Sequence, residues 1–396
     1  MICILFLCIG GNDLKKIMTI FGTRPEAIKM APLVNQLKKE EELVPIVVVT
    51  AQHREMLDSV LDTFNIQPDY DLNIMKSGQT LSDITTKVLK GLEAVIQQEQ
   101  PDMILVHGDT MTAFASSLAA FYNQVAIGHV EAGLRTWNKY SPYPEEMNRQ
   151  MISKLADLHF APTAQAKMNL LNENTDASKI AVTGNTAIDA MATTIQDNYH
   201  SEVMERHKGK RVLLLTAHRR ENLGKPMEHI FSAVRKLVEA HEDVVAVYPM
   251  HKNPKVRAIA QRYLSHHDRI ELIEPLDVVD FHNFAHQSYL ILTDSGGIQE
   301  EAPSLGKPVL VLRDTTERPE GVAAGTLKLA GTNEADVYRE AEQLLTDQAI
   351  YKQMSETANP YGDGKASQRI CDNIKYYFSL TSEKPLDFNE NKDNYE

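Results

Sequence analysis

Runs of apolar residues, many of them β-branched, alternate with helical patterns along nearly the whole chain. The runs are continuous rather than alternating, which indicates strands that are buried on both faces of a sheet. Helical segments between the strands indicate parallel pairing, and ten strands exceed one usual domain. The pattern therefore predicts an α/β protein with two doubly wound parallel sheets. The predicted strands are Ile17–Phe21, Ile46–Val49, Met103–Val106, Val125–Val130, Leu158–Ala161, Val212–Leu215, Val244–Tyr248, Ile270–Ile273, Tyr289–Thr293 and Val309–Leu312.

The ends of the chain and its middle depart from this pattern. Residues 1–14 are predicted to form an extension outside the fold, because the apolar run Ile2–Ile9 is too short to span a bilayer and lacks the flanks of a signal peptide. The polar and charged stretch after Ile188 indicates a domain junction near residues 184–190. We expect two domains, residues 15–185 and 186–365, and a loose acidic tail at residues 379–396.

Polar and charged side chains follow the predicted strands in both halves of the chain. Because doubly wound sheets bind ligands at the carboxyl ends of their strands, two such sheets suggest a ligand cleft between two domains. The residues after the strands are Arg24, Lys29, Gln52, His53, Asp109 and Glu131 in the first half, and His218, Arg219, His251, Asp294–Gly297 and Arg313 in the second.

The run Asp294–Ala302, DSGGIQEEA, comes directly after an apolar strand. Its glycine pair turns the chain into a helix, so that free backbone N–H groups and the positive helix end converge on a seat for phosphate. Glu301 lies one helical turn further on, where its carboxylate would reach sugar hydroxyls. The run predicts a site for a nucleotide or nucleotide sugar, although an ordinary strand-to-helix turn has the same character.

Three carboxylates are candidates for acid–base chemistry: Asp109, Glu131 and Glu145. Glu131 stands in mostly apolar company, where a carboxylate must be paired or have a shifted pKa. Asp109 and Glu145 also have structural explanations, as a helix N-cap and as a complement to a helix dipole. Arg24 and Arg219 have one too, as surface charges, so the set carries more weight than any single member.

Charge and cysteine content narrow the function further. The chain has 396 residues and a net charge of −13, which argues against a nucleic-acid binder, since such proteins normally show a basic face. Its three cysteines form neither a disulfide framework nor a zinc spacing, and they fit a reducing cytoplasm. The sequence has no apolar run long enough for a membrane span and no GxGxxG, P-loop or GxSxG pattern, so we expect no membrane anchor, metal or nicotinamide cofactor.

Seven motifs resemble those of one family, the non-hydrolysing UDP-N-acetylglucosamine 2-epimerases of bacteria. They occur in the family's order from about Lys16 to Phe378, and their combination is highly specific. The motifs are FGTRPEAIK (Phe21–Lys29), HGDT (His107–Thr110), HVEAGLRT (His129–Thr136), PEEMNR (Pro144–Arg149), TAHRREN (Thr216–Asn222), TDSGGIQEEAPSLGKPVL (Thr293–Leu310) and TERPEG (Thr316–Gly321).

The resemblance implies a fold and a reaction. The fold is two Rossmann-like domains facing a cleft, the GT-B arrangement of one large glycosyltransferase class, with the final helix, residues 366–378, crossing back onto the first domain. The reaction is the interconversion of UDP-N-acetylglucosamine and UDP-N-acetylmannosamine through elimination of UDP, a glucal intermediate and re-addition, without a cofactor. The resemblance further implies a cytoplasmic homodimer that serves cell-surface polysaccharides such as teichoic acid.

The resemblance also implies roles for single residues. Asp109, Glu131 and Glu145 would be the acid–base carboxylates, Lys29 would hold their charge and orientation, and His218 would join the catalytic set. The residues that would hold UDP are Arg24, His218, Phe281, Ser295, Gly296, Gly297, Glu301 and Arg318. The residues that would form an activating site for substrate are Gln52, His53, Glu145, Arg219 and His251.

Two positions depart from the family pattern, and three rival functions stay open. Glu55 and Gly78 stand where that pattern has Gln and Arg, and loss of a cation beside a diphosphate would weaken binding of the activator. The rivals are a glycosyltransferase on the same scaffold, a hydrolysing 2-epimerase and a nucleotide-sugar sensor without turnover. The three carboxylates argue against the sensor, because binding a diphosphate sugar gains little from buried negative charge.

Overall fold

The computed structural model describes residues 14–51, 54–74, 76 and 78–388. Their contacts divide the chain into two compact units, and the predicted extension lies outside the described residues except for Leu14. The first unit contains residues 14–186 and 365–388, and the second contains residues 187–364. The C-terminal helix therefore belongs to the first unit, although it follows the whole of the second unit in the sequence.

The first unit contains a parallel sheet of seven strands in the order β3-β2-β1-β4-β5-β6-β7. The strands are β1 (Lys15–Phe21), β2 (Leu43–Val49), β3 (Tyr70–Asp71), β4 (Met103–His107), β5 (Ala126–Val130), β6 (Leu158–Ala161) and β7 (Ile180–Val182). The helices are α1 (Arg24–Leu37), α2 (Arg54–Thr63), α3 (Leu81–Glu99), α4 (Met111–Tyr122), α5 (Glu145–Leu155), α6 (Ala164–Asn172) and, near the end of the chain, α16 (Ala366–Tyr377).

The direction of winding reverses between β1 and β4. The chain proceeds from β1 outward to β2 and β3, and then returns to pair β4 with the other edge of β1. Ile17 of β1 is therefore in register with Pro45 on one side and with Met103 on the other. At such a reversal the loops after the two central strands diverge onto opposite faces and leave a crevice at their carboxyl ends.

The second unit contains a parallel sheet of six strands in the order β10-β9-β8-β11-β12-β13, which reverses between β8 and β11. The strands are β8 (Arg211–Thr216), β9 (Val244–Pro249), β10 (Ile270–Ile273), β11 (Leu290–Thr293), β12 (Val309–Val311) and β13 (Leu327–Leu329). The helices are α7 (Thr186–Thr194), which begins at the unit boundary, α8 (Glu202–Arg206), α9 (Lys225–Ala240), α10 (Pro254–Leu264), α11 (Val278–Gln287), α12 (Gly296–Glu301), α13 (Pro319–Ala324), α14 (Glu334–Thr346) and α15 (Gln348–Glu356).

Burial explains why these segments form strands. The central strands β4 and β11 are buried at every position, and apolar clusters cover both faces of the second sheet. A strand buried on both faces needs continuous apolar character, which is the pattern that the sequence shows. The predicted fold class, two Rossmann-like α/β units with doubly wound parallel sheets, is confirmed.

The segment after α16 differs from the predicted loose tail. Phe388 is 6% exposed, and its backbone N–H donates to the Val182 carbonyl at 2.7 Å. Asp387 accepts from the Val182 N–H at 2.9 Å and from Lys167 Nζ at 2.6 Å. Residues 379–388 thus belong to the first unit, because the segment bonds to Val182 of the edge strand β7 and buries one aromatic ring.

Among the described residues, no helix is both long enough and apolar enough to cross a membrane.

Candidate active site

One buried carboxylate joins the two loops at the reversal point of the first sheet. Glu26, in the first turn of α1, accepts from the backbone N–H groups of Gly22 and Thr23 at 3.0 and 2.8 Å. It also accepts from Thr110 Oγ1 at 2.5 Å, so the loops after β1 and β4 are tied together. Burial raises the pKa of Glu26 against the opposing effect of these hydrogen bonds.

Lys29 and Glu131 form an ion pair beside this link. Lys29 comes from α1, and Glu131 follows the last residue of β5. Asn185 Nδ2 donates to the same carboxylate at 3.3 Å. Glu131 adopts a left-handed backbone conformation, with φ of +62°, which is costly for a residue with a side chain. The turn directs a mostly buried carboxylate to the carboxyl edge of the sheet, as functional sites often require.

Two buried histidines stand behind the carboxylates and are neutral at physiological pH. Burial, reinforced by Lys29, lowers the pKa of His107 to about 4, although Glu131 opposes the shift. The His107 Nε2 atom lies 3.8 Å from Glu131 Oε2. Burial also lowers the pKa of His129 to about 3, and its Nε2–H donates to the Gly108 carbonyl at 2.7 Å. Because burial keeps both histidines neutral, Lys29 supplies a positive charge that faces Glu131 at this edge.

Asp109 follows β4, and its carboxyl has a strongly shifted pKa. Burial raises its pKa to about 6, the negative charges of Glu131 and Glu145 add to the shift, and Arg149 and Lys29 oppose it. Arg149 Nη1 lies 2.6 Å from Asp109 Oδ2. A carboxyl with a pKa near the operating pH exchanges protons readily in either direction, as acid–base catalysis requires.

The structure therefore brings together the predicted acid–base residues of the first unit. Glu145 is the first residue of α5, is half-buried, and is close enough to act electrostatically on Asp109. Arg24, predicted to bind diphosphate, is the first residue of α1 and is also half-buried. Gln52 and His53 lie outside the described residues, as does the side chain of Glu55.

The second unit also has a buried carboxylate where its strand order reverses, between β8 and β11. Asp294, fully buried after β11, accepts from the backbone N–H groups of His218 and Arg219, both at 2.8 Å. Asn222 Nδ2 donates to the same oxygen at 3.1 Å. Asp294 thereby fixes the loop after β8 against the start of α12, so the TAHRREN and DSGG motifs form one local structure.

Two guanidinium groups converge on the glycine turn at the start of α12. A methyl group at Gly296 would lie 3.5 Å from Arg219 Nη2 and 3.7 Å from Arg318 Nη2. Ser295 precedes the helix and Gly297 follows, so the predicted diphosphate residues of this unit lie side by side. Arg318 is held in turn by an ion pair with the buried Glu300. A glycine turn at the start of a helix with two cations beside it suits a diphosphate.

Glu301 is oriented from α11. Its Oε2 lies 3.5 Å from His282 Nε2, and the other ring nitrogen of His282 lies 2.7 Å from Thr194 Oγ1. Phe281, the neighbour of His282, is half-buried. Helix α11 therefore carries Phe281, the predicted uracil contact, and also His282, which orients Glu301, the predicted ribose ligand.

His218 and His251 stack with ring centroids 5.3 Å apart and an interplanar angle of 9°. Burial, with His251 and Arg219, lowers the pKa of His218, while Asp294 opposes the shift. His218, Arg219 and His251, which were predicted to bind the diphosphate or the activator, are thus neighbours in the second unit.

Within the described residues, no group of three or more His, Cys, Asp or Glu side chains is arranged to hold a metal ion.

Sequence reasoning missed three contributors to these sites: His107, Glu146 and Arg149. All three are polar and buried. Each lies inside a motif that was recognised, but its role depends on a partner far away in the chain. A buried polar residue within an apolar run, such as His107 at the end of β4, was the available signal.

Comparisons with known proteins agree on one family. The family model described as UDP-N-acetylglucosamine 2-epimerase matches residues 35–375. A Bacillus subtilis (strain 168) protein described as UDP-N-acetylglucosamine 2-epimerase is 62% identical over 373 residues, covering 94% of this chain and 98% of the relative.

Two solved structures extend the comparison. The S. aureus MnaA structure with UDP has a TM-score of 0.87 at 65% identity, covering 95% of this chain and 100% of that one. The Neisseria meningitidis UDP-GlcNAc 2-epimerase bound to UDP-GlcNAc has a TM-score of 0.81 at 48% identity, covering 91% and 100%. This chain belongs to the UDP-N-acetylglucosamine 2-epimerase family, with the motifs of its non-hydrolysing bacterial members.

Proposed function

We propose that this protein interconverts UDP-N-acetylglucosamine and UDP-N-acetylmannosamine, which is the reaction of an isomerase. The observation that carries the proposal is the cluster of Asp109, Glu131 and Glu145 with Lys29 at the reversal point of the first sheet. Such a cluster suits the removal and return of a proton, and membership of the family indicates the nucleotide sugar on which it acts.

The reaction needs two bonds at neighbouring carbons to break. The hydrogen on sugar carbon 2 is weakly acidic because no carbonyl group is adjacent. As the bond from carbon 1 to the UDP oxygen breaks, its electron pair leaves with UDP and carbon 1 becomes positive. A base then takes the carbon 2 proton, and the C–H electron pair forms a double bond to carbon 1, giving a glucal and UDP. Return of a proton to the opposite face of carbon 2, with re-addition of UDP at carbon 1, gives the epimer.

The proposed roles follow from the charge of each group. Asp109, Glu131 and Glu145 would supply the base and the acid on opposite faces of the sugar. Lys29 would hold the charge of Glu131 and its orientation. UDP would be held by Arg24, His218, Ser295, Gly296, Gly297 and Arg318 at the diphosphate, Glu301 at the ribose and Phe281 at the uracil.

Product analysis tests this function against its rivals. Purified protein is incubated with UDP-N-acetylglucosamine alone and the mixture is followed by proton NMR. We expect UDP-N-acetylmannosamine to accumulate to a constant ratio with its isomer. Free N-acetylmannosamine with UDP would instead establish the hydrolysing reaction, and turnover only after addition of a sugar acceptor would establish a glycosyltransferase.

Activation of the enzyme by its own substrate is a finer part of the proposal. Stacking of His251 on His218 supports it, because the ring predicted to bind activator contacts a ring predicted to bind diphosphate. Gly78 stands where the family pattern has Arg, so an effector would bind without that cation and more weakly. We expect a lag when UDP-N-acetylmannosamine is the only substrate, abolished by a trace of UDP-N-acetylglucosamine. Linear initial rates without stimulation would contradict activation.

The biological setting completes the proposal. We propose a homodimer that acts in the cytoplasm and supplies activated N-acetylmannosamine for a cell-surface polysaccharide. Light scattering of the purified protein tests the first part, because a dimer would have twice the 44.5 kDa mass of the chain. Loss of N-acetylmannosamine from the cell-surface polymer after gene deletion, restored by the active protein, tests the second.

A further inference from the structure

Glu146 follows the proposed catalytic Glu145 and is completely buried. Its carboxylate accepts four hydrogen bonds: from Arg149 Nη2 at 2.8 Å, Gln150 Nε2 at 2.9 Å, and the backbone N–H groups of Thr136 and Trp137 at 3.0 and 3.1 Å. Burial works against its charge, but these bonds prevail and lower its pKa to about 2. Glu146 is therefore a permanent buried anion, and such a group requires partners that stay in place.

Arg149 connects this anion to Asp109. Its Nη1 donates to Asp109 Oδ2 at 2.6 Å, its Nη2 donates to Glu146, and its buried Nε makes no hydrogen bond with any described residue. The side-chain hydrogen bonds that orient the guanidinium therefore run to two carboxylates, one at the catalytic cluster and one behind it. Removal of the rear carboxylate would leave Arg149 free to rotate away from Asp109.

The other bonds of Glu146 hold the segment that leads away from Glu131. Trp137 has φ of +62°, a left-handed conformation that a tryptophan rarely adopts without external support. The carboxylate accepts from the N–H groups of Trp137 and of the residue before it, Thr136, and so stabilises this turn. Glu131 itself lies only a few residues upstream and also has φ of +62°. The Glu146 side chain thus supports both Arg149, which is the partner of Asp109, and the segment that follows Glu131.

We propose that Glu146 is a positioning residue for the epimerase reaction: it holds Arg149 against Asp109 and fixes the Thr136–Trp137 turn, and so sets the charge and placement of the acid–base cluster. The inference rests on the proposed function. It assigns Glu146 no contact with substrate, and it distinguishes the two adjacent glutamates of the PEEMNR motif, the first in the reacting cluster and the second behind it.

The test compares Glu146→Gln with the wild type and with a matched control. In the variant we expect kcat to fall about 10- to 100-fold through misplacement of the cluster, while KM stays within about twofold. Asp109→Asn identifies the limb of the pH–rate profile that Asp109 produces. In Glu146→Gln this limb should move to higher pH, because an Arg149 that is no longer held in place lowers the pKa of Asp109 less. The control is Glu173→Gln, which breaks the buried Arg135–Glu173 pair of 2.7 and 2.9 Å in the same unit. It should change stability but not the pH profile.

A second readout separates this inference from the proposed function. Carbon-13 NMR of aspartate-labelled protein follows the Asp109 carboxyl without turnover, with Asp109→Asn to assign its signal. An upward shift of the Asp109 titration in Glu146→Gln supports the inference whether or not an epimer forms. Absence of the epimer with the wild-type protein would defeat only the proposed function. An unchanged titration and pH profile in a folded variant would overturn the inference. If Glu146→Gln does not fold, Arg149→Lys, which cannot bridge both carboxylates, must show the same upward shift or the inference fails.

Discussion

Lys29 and Glu131 are 102 positions apart in the chain, yet their side chains form an ion pair at the carboxyl edge of the first sheet. We expect Lys29→Met to lower kcat at least about 100-fold, because the cluster loses the cation that balances its charge. The free energy of unfolding should fall by about 3 kcal/mol, the usual cost of removing one partner of a buried pair. Steady-state kinetics and urea denaturation measure the two effects.

Lys39→Met is the matched control, since Lys39 is exposed in the turn after α1. It removes the same charge from the same region and should leave both quantities nearly unchanged. Equal losses of activity in the two variants would show that general charge, and not the pair, accounts for the effect.

A second prediction concerns stability and pH at Asp109. Its pKa rises from 3.8 to about 6 on folding, so the folded state holds the proton more tightly than the unfolded chain. The stability from this group is complete below pH 3.8 and is lost as pH rises through about 6. Asp109→Asn does not titrate, so its stability relative to the wild type should increase between pH 4 and pH 7. Urea denaturation of both proteins across this range measures the difference, and a constant difference would refute the raised pKa.

A third prediction concerns the glycine turn. A methyl group at Gly296 meets Arg219 and Arg318 at 3.5 and 3.7 Å, which is ordinary contact, so Gly296→Ala should fold normally. The same methyl group occupies the space where both guanidiniums converge, so affinity for UDP should fall at least about tenfold, or about 1.4 kcal/mol. Calorimetric titration with UDP measures the affinity, and a thermal melt confirms the fold. Undiminished UDP affinity would show that the diphosphate does not bind at this turn.

A fourth prediction concerns the ribose. If Glu301 accepts hydrogen bonds from the sugar hydroxyls, wild-type protein should prefer UDP to 2′-deoxy-UDP, and Glu301→Ala should lose most of that preference. We expect UDP affinity to fall about tenfold, as for a hydrogen bond to a charged group. Glu356→Ala, at an exposed position of α15, serves as the control. A preference that survives in Glu301→Ala would assign ribose recognition to another residue.

The central strands were predictable because their burial has a local signature. A strand such as β4, apolar at nearly every position, has that pattern wherever its neighbours lie. The missed strands β3, β7 and β13 have two or three residues each and lie at or next to a sheet edge. Their pairing is determined by the neighbouring strand, since so few residues carry no periodicity of their own.

The candidate site was predictable in its members and not in its connections. The position of Asp109 and Glu131 after strands identified them as ligand-facing groups. Nothing in the sequence showed that Arg149 reaches Asp109 or that Glu146 reaches Arg149, because such bonds depend on how α5 packs against α4 and β5. The tail near Phe388 was misjudged for the same reason, since one buried ring outweighs a polar composition.

The central claim is that carbon 2 of the sugar loses and regains a proton on this protein. The direct measurement is proton NMR of wild-type protein with UDP-N-acetylglucosamine in deuterated water. The account predicts UDP-N-acetylmannosamine with deuterium at carbon 2, followed by deuterium at the same carbon of the remaining substrate. Product without deuterium at carbon 2, or an unchanged spectrum from folded protein that binds UDP, would contradict it.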